Sequence, residues 1–135
     1  MLEALGRIGT FKGCDKRQLG LVADAVQGRS TVKSGDVLCS EGETADGWWV
    51  VLSGSGQVDS GGHTVGTVSA NQAVGELAIF DDQPRSATVT AVDDLDVLEF
   101  SGGNLVEAIR SEPQLGINLL STAAERLRAT NRLVS

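Results

Sequence analysis

Between residues 29 and 101, apolar and polar positions alternate in short runs that are separated by glycine-containing turns. Valine and threonine fill many of these positions, and a period of two is typical of half-buried β-strands. The runs are STVKSGDVL, GWWVVLSGSGQVD, HTVGTVS, SATVTAVDD and LDVLEF. They predict six to eight antiparallel strands that pack as a sandwich or barrel, with a tight hairpin turn at Ser60–Gly62.

Helical patterns occupy both ends of the chain. Asp15 is a suitable N-cap for the segment KRQLGLVADAV, whose apolar residues recur at helical spacing: Leu19, Val22, Ala23 and Val26. A shorter helix is predicted from Leu2 to about Ile8. After Gly103, the segment NLVEAIRSEP predicts a helix that ends near Pro113, and a second helix begins at that proline.

The last helix carries a narrow apolar stripe. Its members are three or four residues apart: Leu120, Ala123, Leu127, Thr130 and Val134. Such a stripe is typical of a helix that packs on its own domain. Packing on its own domain is the favoured interpretation, and a homodimer through this helix and a connector to a further domain are the two alternatives.

A chain of 135 residues is long enough for one hydrophobic core and too short for two ordinary domains. We therefore predict one domain, with N-terminal helices in residues 1–28, strands in 29–101 and C-terminal helices in 102–135. The net charge of −7 opposes binding to a nucleic-acid backbone, and no apolar run is long enough to span a membrane. Without a signal peptide, and with Cys14 and Cys39 outside any metal-ligand spacing, we expect a cytoplasmic protein with free thiols.

Opposite charges beside very small residues mark the segment VGELAIFDDQPRSATVTA, residues 74–91. Glu76 follows Gly75 and opens a short predicted helix, whose first N–H groups attract anions. Arg85 adds a planar fork that matches phosphate oxygens. The small side chains of Ala78, Ser86 and Ala87 would let a ligand approach the main chain.

A carboxylate would repel a phosphate, so Glu76 should face a group that carries hydroxyl donors, such as a ribose. The residues therefore favour a sugar phosphate as the ligand. The competing interpretation is a structural salt bridge between Glu76 and Arg85 inside a loop. In that case the domain would bind no nucleotide.

The run GELAIFDDQPRSATVTA closely resembles the phosphate-binding cassette of cyclic nucleotide-binding domains, in which Gly-Glu-Leu-Ala is followed by Pro-Arg, a small residue, Ala and Thr. The segments before and after the cassette are similar to the opening and the C-terminal helix of the same family. The resemblance implies an eight-stranded antiparallel jelly roll that is mainly β, with α-helices at both ends. It also implies a regulatory, signalling domain without enzymatic activity.

The same resemblance implies a role for each cassette residue. Arg85 would pair with the cyclic phosphate, while the main chains of Ala78 and Ser86, beside Ala87, would donate hydrogen bonds to its oxygens. Glu76 and the Gly75 main chain would take the ribose 2′-hydroxyl, and Leu77 would line the pocket. The family would need no cofactor besides its ligand, and Ser86 directly after the arginine favours cAMP over cGMP. Purine capping would come from the C-terminal helices or from a partner subunit, and the candidates on the last helix are Leu127, Arg128 and Arg132.

The resemblance further implies an allosteric sensor, whose C-terminal helices repack when nucleotide binds and pass the signal to an effector domain or a partner protein outside this chain. An assembly module of the same fold with a silent pocket is the alternative.

The tryptophans and the histidine give weaker indications of function. Adjacent strand residues face opposite ways, so at most one of Trp48 and Trp49 enters a given pocket, and a core or interface role is favoured. His63 is predicted to be a solvated turn residue, and a single histidine argues against a catalytic triad or a metal-dependent enzyme.

Overall fold

The computed structural model describes residues 2–134, and it describes their side chains except those of residues 2, 4, 77, 126, 127 and 129–134. The helices are α1 (Leu2–Gly6), α2 (Lys16–Ala23), α3 (Glu76–Asp81), α4 (Gly102–Ser111) and α5 (Pro113–Val134), and a short 3-10 helix spans Gly9–Phe11. The strands are β1 (Val26–Val32), β2 (Val37–Cys39), β3 (Gly47–Ser53), β4 (Ser55–Ser60), β5 (His63–Ser69), β6 (Ala73–Val74), β7 (Thr88–Ala91) and β8 (Leu95–Ser101).

The eight strands form two four-stranded antiparallel sheets. One has the order β1-β8-β3-β6, and the other has the order β2-β7-β4-β5. In the first sheet, β8 lies in the interior and pairs with β1 on one side and with β3 on the other. This mainly β jelly roll with helices at both ends confirms the predicted fold class.

Helix α2 begins where the sequence predicts. Asp15 accepts a hydrogen bond from the Gln18 main-chain N–H, and the Gln18 side chain accepts one from the Asp15 N–H, which completes a capping box. The helix ends earlier than its apolar spacing indicated, because Val26 pairs with Phe100 as the first residue of β1. Residues 26–28, grouped above with the helices, are therefore strand.

Two other local predictions need adjustment. The N-terminal helix ends at Gly6 rather than near Ile8, and the chain continues into the 3-10 helix. The hairpin between β4 and β5 turns through Gly61 and Gly62, whose φ angles of 61° and 83° suit a two-residue turn. His63 is exposed as predicted, but it is the first residue of β5, where it pairs with Ser60.

Two hydrophobic clusters hold the domain together. The helix-facing core lies between the helices and the first sheet, and Trp48, which is fully buried, stacks on Phe100 there with ring centroids 4.1 Å apart. The inter-sheet core lies inside the roll and contains Val51, Leu95 and Val97. Because β3 contributes Trp48 to one core and Val51 to the other, this strand is buried on both faces, as its continuous apolar run predicts.

Helix α5 packs on its own domain through a different face from the stripe singled out in the sequence. Leu115 and Leu119 are buried in the helix-facing core, and the Thr122 hydroxyl donates to the main-chain carbonyl of Lys12 at 3.2 Å. Leu120, by contrast, is 72% exposed, and Ala123 is exposed as well. The other members of the stripe have side chains outside the described part of the structure.

Candidate functional site

One cavity of about 210 Å³ collects the predicted site residues, where the loop from β6 to β7 meets the inner face of the second sheet. Its lining contains six of the seven cassette residues named from the sequence: Gly75, Glu76, Ala78, Arg85, Ser86 and Ala87. The Leu77 side chain is outside the described residues. The rest of the lining comes from strands: Cys39, Val58, Val68, Ala73, Val74 and Val89.

A left-handed glycine starts the loop that carries these residues. Strand β6 pairs with β3, and then Gly75, with a φ of +84°, turns the chain into α3. A β-carbon on Gly75 would lie only 2.4 Å from Nη1 of Arg85, so this position needs glycine for its backbone angle and for its close approach to the guanidinium. The predicted short helix at Glu76 is therefore present, with a glycine at its N-cap.

The main chain around Arg85 is fixed by a neighbouring loop. Its N–H donates to the carbonyl of Glu43 at 2.9 Å, and its carbonyl accepts from the N–H of Gly42 at 2.8 Å. These paired bonds anchor the segment after α3, although it belongs to no helix or strand. The Arg85 side chain thus extends into the domain from a fixed starting point.

The guanidinium of Arg85 is buried, with 6% of the residue exposed. Nη1 donates to the Gly75 carbonyl at 3.2 Å, and Nη2 donates to the Gly47 carbonyl at 2.6 Å. Its carbon Cζ lies 4.8 Å from the ring centroid of Trp49. Two of five N–H donors are thereby used, which leaves donors for an anion in the cavity.

Glu76 is also buried, with 6% of the residue exposed, and Thr10 of the 3-10 helix donates a hydrogen bond to its Oε1 at 3.3 Å. No ion pair within the described part of the chain joins Glu76 to Arg85. The structural salt bridge that competes with ligand binding is therefore not formed among these residues. Burial of two opposite charges that are not paired with each other is unfavourable unless other groups compensate them.

Sequence reasoning missed two lining or supporting residues. Trp49 supports Arg85 from inside the roll, whereas Trp48 belongs to the helix-facing core. Cys39 lines the cavity, and burial raises the pKa of its thiol while the positive charge of Arg85 opposes that rise. Because side chains alternate along β3, Trp48 and Trp49 face opposite sides of the sheet. Nothing in the sequence of β2 or β3 indicates that Cys39 lines this cavity or that Trp49 contacts Arg85.

A second, mostly apolar groove of about 400 Å³ lies beside the first cavity and separates α3 from α4 and α5. Phe80 borders it on α3, and Leu119 and Leu120 border it on α5. Glu76 and Thr10 line it too, so Glu76 borders both the smaller cavity and this groove. Glu76 and residues of α5 therefore line the same groove.

The remaining predictions concern capping, metals and membranes. Arg128 is exposed, and the side chains of Leu127 and Arg132, the other two purine-cap candidates, are outside the described residues. Within the described residues there is no group of three or more histidine, cysteine or acidic side chains that could hold a metal ion. Over the same part of the chain, no helix combines the length and apolar character that crossing a membrane requires.

The structure is an eight-stranded jelly roll with a buried arginine and a buried glutamate in one loop cavity. The sequence matches the family model for the cyclic nucleotide-binding domain over residues 29–112. The chain therefore belongs to the cyclic nucleotide-binding domain family, as the resemblance of its cassette indicated. Its relatives include a transcriptional regulator, regulatory subunits of protein kinases and a cyclic nucleotide-gated potassium channel.

Three similar proteins illustrate the family. The CRP-like cAMP-activated global transcriptional regulator of Mycobacterium tuberculosis is 26% identical over 97% of this chain and 60% of its own length. The N-terminal domain of a transcriptional regulator from Streptomyces coelicolor is 29% identical, with a TM-score of 0.80 over 96% of this chain and 95% of that one. The regulatory domain of Toxoplasma gondii PKA, solved with cAMP, is 27% identical, with a TM-score of 0.73 over 79% of this chain and 42% of that one. The chain thus spans about 60% of the mycobacterial regulator.

Proposed function

We propose that this domain is a cyclic nucleotide sensor that binds cAMP in the cavity of about 210 Å³ next to α3. One observation carries the proposal: Arg85 and Glu76 are both buried, both line that cavity, and are not paired with each other. A cyclic nucleotide offers a phosphate to the guanidinium and a ribose hydroxyl to the carboxylate. A single ligand of this kind would compensate both buried charges.

Arg85 binds the phosphate in this proposal. Its two bonds to main-chain carbonyls hold the fork in place and leave further N–H groups for phosphate oxygens. Ala78, Ser86 and Ala87 border the same cavity with small side chains, so their main chains are open to a ligand. Peptide N–H groups of Ala78 and Ser86 then complete the phosphate site.

The ribose is held by Glu76, which accepts a hydrogen bond from the 2′-hydroxyl, with Gly75 beside it and Leu77 at the pocket wall. Support comes from the weak partner that Glu76 now has, since the Thr10 hydroxyl lies at the long distance of 3.3 Å. A ribose hydroxyl could make a shorter bond. The cavity is smaller than the ~300–1,000 Å³ of typical small-molecule sites, which suits a ribose phosphate whose base extends toward α5.

We infer cAMP rather than cGMP as the physiological ligand. Ser86 follows the arginine, which favours cAMP in the cassette pattern. The names of similar proteins agree, because the mycobacterial relative is described as cAMP-activated and the Toxoplasma structure was solved with cAMP. The base would be capped from α5, on which Arg128 is an exposed candidate.

The output is a shift in the position of α5. Glu76 bonds to Thr10 in the 3-10 helix, and the Lys12 carbonyl, two residues further, accepts from Thr122 on α5. A ligand that draws Glu76 toward the ribose would therefore disturb contacts that hold α5. It changes the equilibrium only by its different affinity for the two states. The effector is a domain or partner outside this chain, and the exposed Ile117 and Leu120 suit a homodimer through α5.

Isothermal titration with cAMP, cGMP and 2′-deoxy-cAMP tests this function on the wild-type chain and on Arg85→Ala. Loss of a buried arginine from its phosphate is expected to cost about 3–5 kcal/mol, or roughly two to three and a half orders of magnitude in affinity. The deoxy analogue should bind more weakly than cAMP in the wild type. Hydrogen exchange over residues 112–128 should change upon saturation with cAMP.

An assembly module with a silent pocket is the second candidate, and the exposure of Leu120 at 72% favours it. A folded chain that gives no heat with any of the three ligands, yet self-associates in sedimentation experiments, would establish this alternative. Binding that is equally strong in wild type and Arg85→Ala would contradict the proposed phosphate site.

A further inference from the structure

Trp49 and Arg85 make a contact that the cassette pattern does not contain. Trp48 and Trp49 are neighbours on β3 and face opposite sides of the sheet. Trp48 stacks on Phe100 in the helix-facing core, while Trp49 packs against the inter-sheet core inside the roll. On that side, Cζ of Arg85 lies 4.8 Å from the Trp49 ring centroid, within the range of a cation–π interaction.

We propose that Trp49 is a positioning residue of the nucleotide site, whose ring face fixes the plane of the Arg85 guanidinium so that its remaining N–H groups face the phosphate. This inference rests on the proposed function. Trp49 does not line the ligand cavity itself, so it acts through Arg85 and not through the nucleotide. The class of ligand that it serves is a phosphate-bearing one.

The three contacts of the guanidinium have different tasks. The carbonyls of Gly75 and Gly47 accept from Nη1 and Nη2 and thereby fix two atoms of the fork. The fork could still tilt about the line through these two nitrogens. The Trp49 ring opposes that tilt, because Cζ of Arg85 lies over the ring, 4.8 Å from its centroid.

Packing around the contact between Trp49 and Arg85 is tight. A β-carbon on Gly75 would lie 3.4 Å from the Trp49 ring and 2.4 Å from Nη1 of Arg85, so all three residues meet at one point. Trp49 is half-buried and Arg85 is 6% exposed, so little water competes for the guanidinium. Cation–π contacts are strongest when they are desolvated in this way.

The contact between Trp49 and Arg85 also provides a spectroscopic signal. The other tryptophan can be removed by Trp48→Phe, and its Nε1 has no hydrogen-bond partner among the described residues, so the substitution loses no bond there. In that background, Trp49 is the sole source of indole emission. We expect its emission to change when Arg85 is replaced by alanine, and to change again when cAMP binds to the chain that retains Arg85.

The test is a double-mutant cycle with cAMP as the probe, titrated to millimolar concentration. Trp49→Leu should weaken cAMP binding by about ten- to thirty-fold, whereas Trp49→Phe, which keeps an aromatic face, should stay within about three-fold of the wild type. In the Arg85→Ala background, Trp49→Leu should have no further effect, because the group that it positions is gone. Thermal unfolding verifies that each variant is folded.

The outcomes separate this inference from the proposed function. A wild-type chain that does not bind cAMP overturns both. Binding that depends on Arg85 but is unchanged in Trp49→Leu overturns only the role of Trp49. An equal loss from Trp49→Leu in the presence and absence of Arg85 also overturns it, since Trp49 would then act on the fold as a whole. If Trp49→Leu fails to fold, the emission of Trp49 in the Trp48→Phe background decides the question. Emission that is unchanged when Arg85 is replaced by alanine would refute the contact between Trp49 and Arg85.

Discussion

A single added methyl group at Gly75 should weaken the proposed phosphate site by displacing Arg85. Gly75 has a φ of +84°, and a β-carbon there would lie 2.4 Å from Nη1 of Arg85. That nitrogen is at the end of a long side chain, so the guanidinium moves and the backbone does not. Gly75→Ala should therefore break the bond from Nη1 to the Gly75 carbonyl and push the fork away from its position in the cavity.

The expected magnitude has two parts. An alanine in the left-handed region costs about 1–2 kcal/mol of folding free energy. Loss of a hydrogen bond from a charged donor adds about 1.5–3 kcal/mol. Gly75→Ala should then lower the free energy of unfolding by roughly 2.5–5 kcal/mol, and it should weaken cAMP binding at least ten-fold, which is about 1.4 kcal/mol.

Gly13 provides a matched control for backbone strain. Its φ is +85°, and a β-carbon there would meet nothing within 4 Å. Gly13→Ala should lose only the strain term of about 1–2 kcal/mol and should bind cAMP normally. Urea unfolding and cAMP titration of both variants make the comparison. Equal losses of stability in the two variants, together with normal cAMP binding by Gly75→Ala, would refute this reasoning.

Two further predictions concern the carboxylate and the thiol of the site. Thr10→Val removes the hydroxyl that donates to Glu76 and should lower the free energy of unfolding by about 1 kcal/mol in urea titrations, whereas Thr10→Ser should retain most of it; equal stability of the two variants would contradict a role for the hydroxyl. Because burial raises the pKa of Cys39, the folded chain holds this proton more tightly than the unfolded chain, so its contribution to stability is present below the ordinary thiol pKa and is lost as the pH rises through the higher folded value. Alkylation of Cys39, followed by mass spectrometry in a Cys14→Ser background, should accelerate only at alkaline pH and should slow under saturating cAMP; a rate independent of cAMP would place the nucleotide elsewhere.

The sequence predicts which cassette residues lie together because these residues are close to one another along the chain. Glu76 and Arg85 are nine positions apart, and the glycine and alanines beside them already indicate a main chain that a ligand can approach. The loop also folds locally, from the left-handed Gly75 through a short helix, so the sequence predicts which residues share a cavity. It does not predict what holds Arg85, because Gly47 and Trp49 come from β3 and reach it only through strand pairing across the roll.

The predicted end of α2 was wrong for a related reason. Val26 continues the helical spacing of α2, but its pairing with Phe100, far along the chain, makes it a strand residue. The stripe on α5 likewise reflects spacing alone. Which face of a helix is buried depends on the elements that it packs against, and here Leu115 and Leu119 lie in the helix-facing core while Leu120 is exposed.

The placement of β8 has a consequence for how this domain is made in the cell. The strand lies between β1 and β3, although it is the last of the eight to be synthesised. Until it has left the ribosome, β1 and β3 present open edges to other nascent chains, and the helix-facing core lacks Leu98 and Phe100. Insertion of β8 joins the two halves of the sheet in one late step, so the domain should acquire its shape, and with it any ability to bind a nucleotide, only after residues 95–101 have left the ribosome.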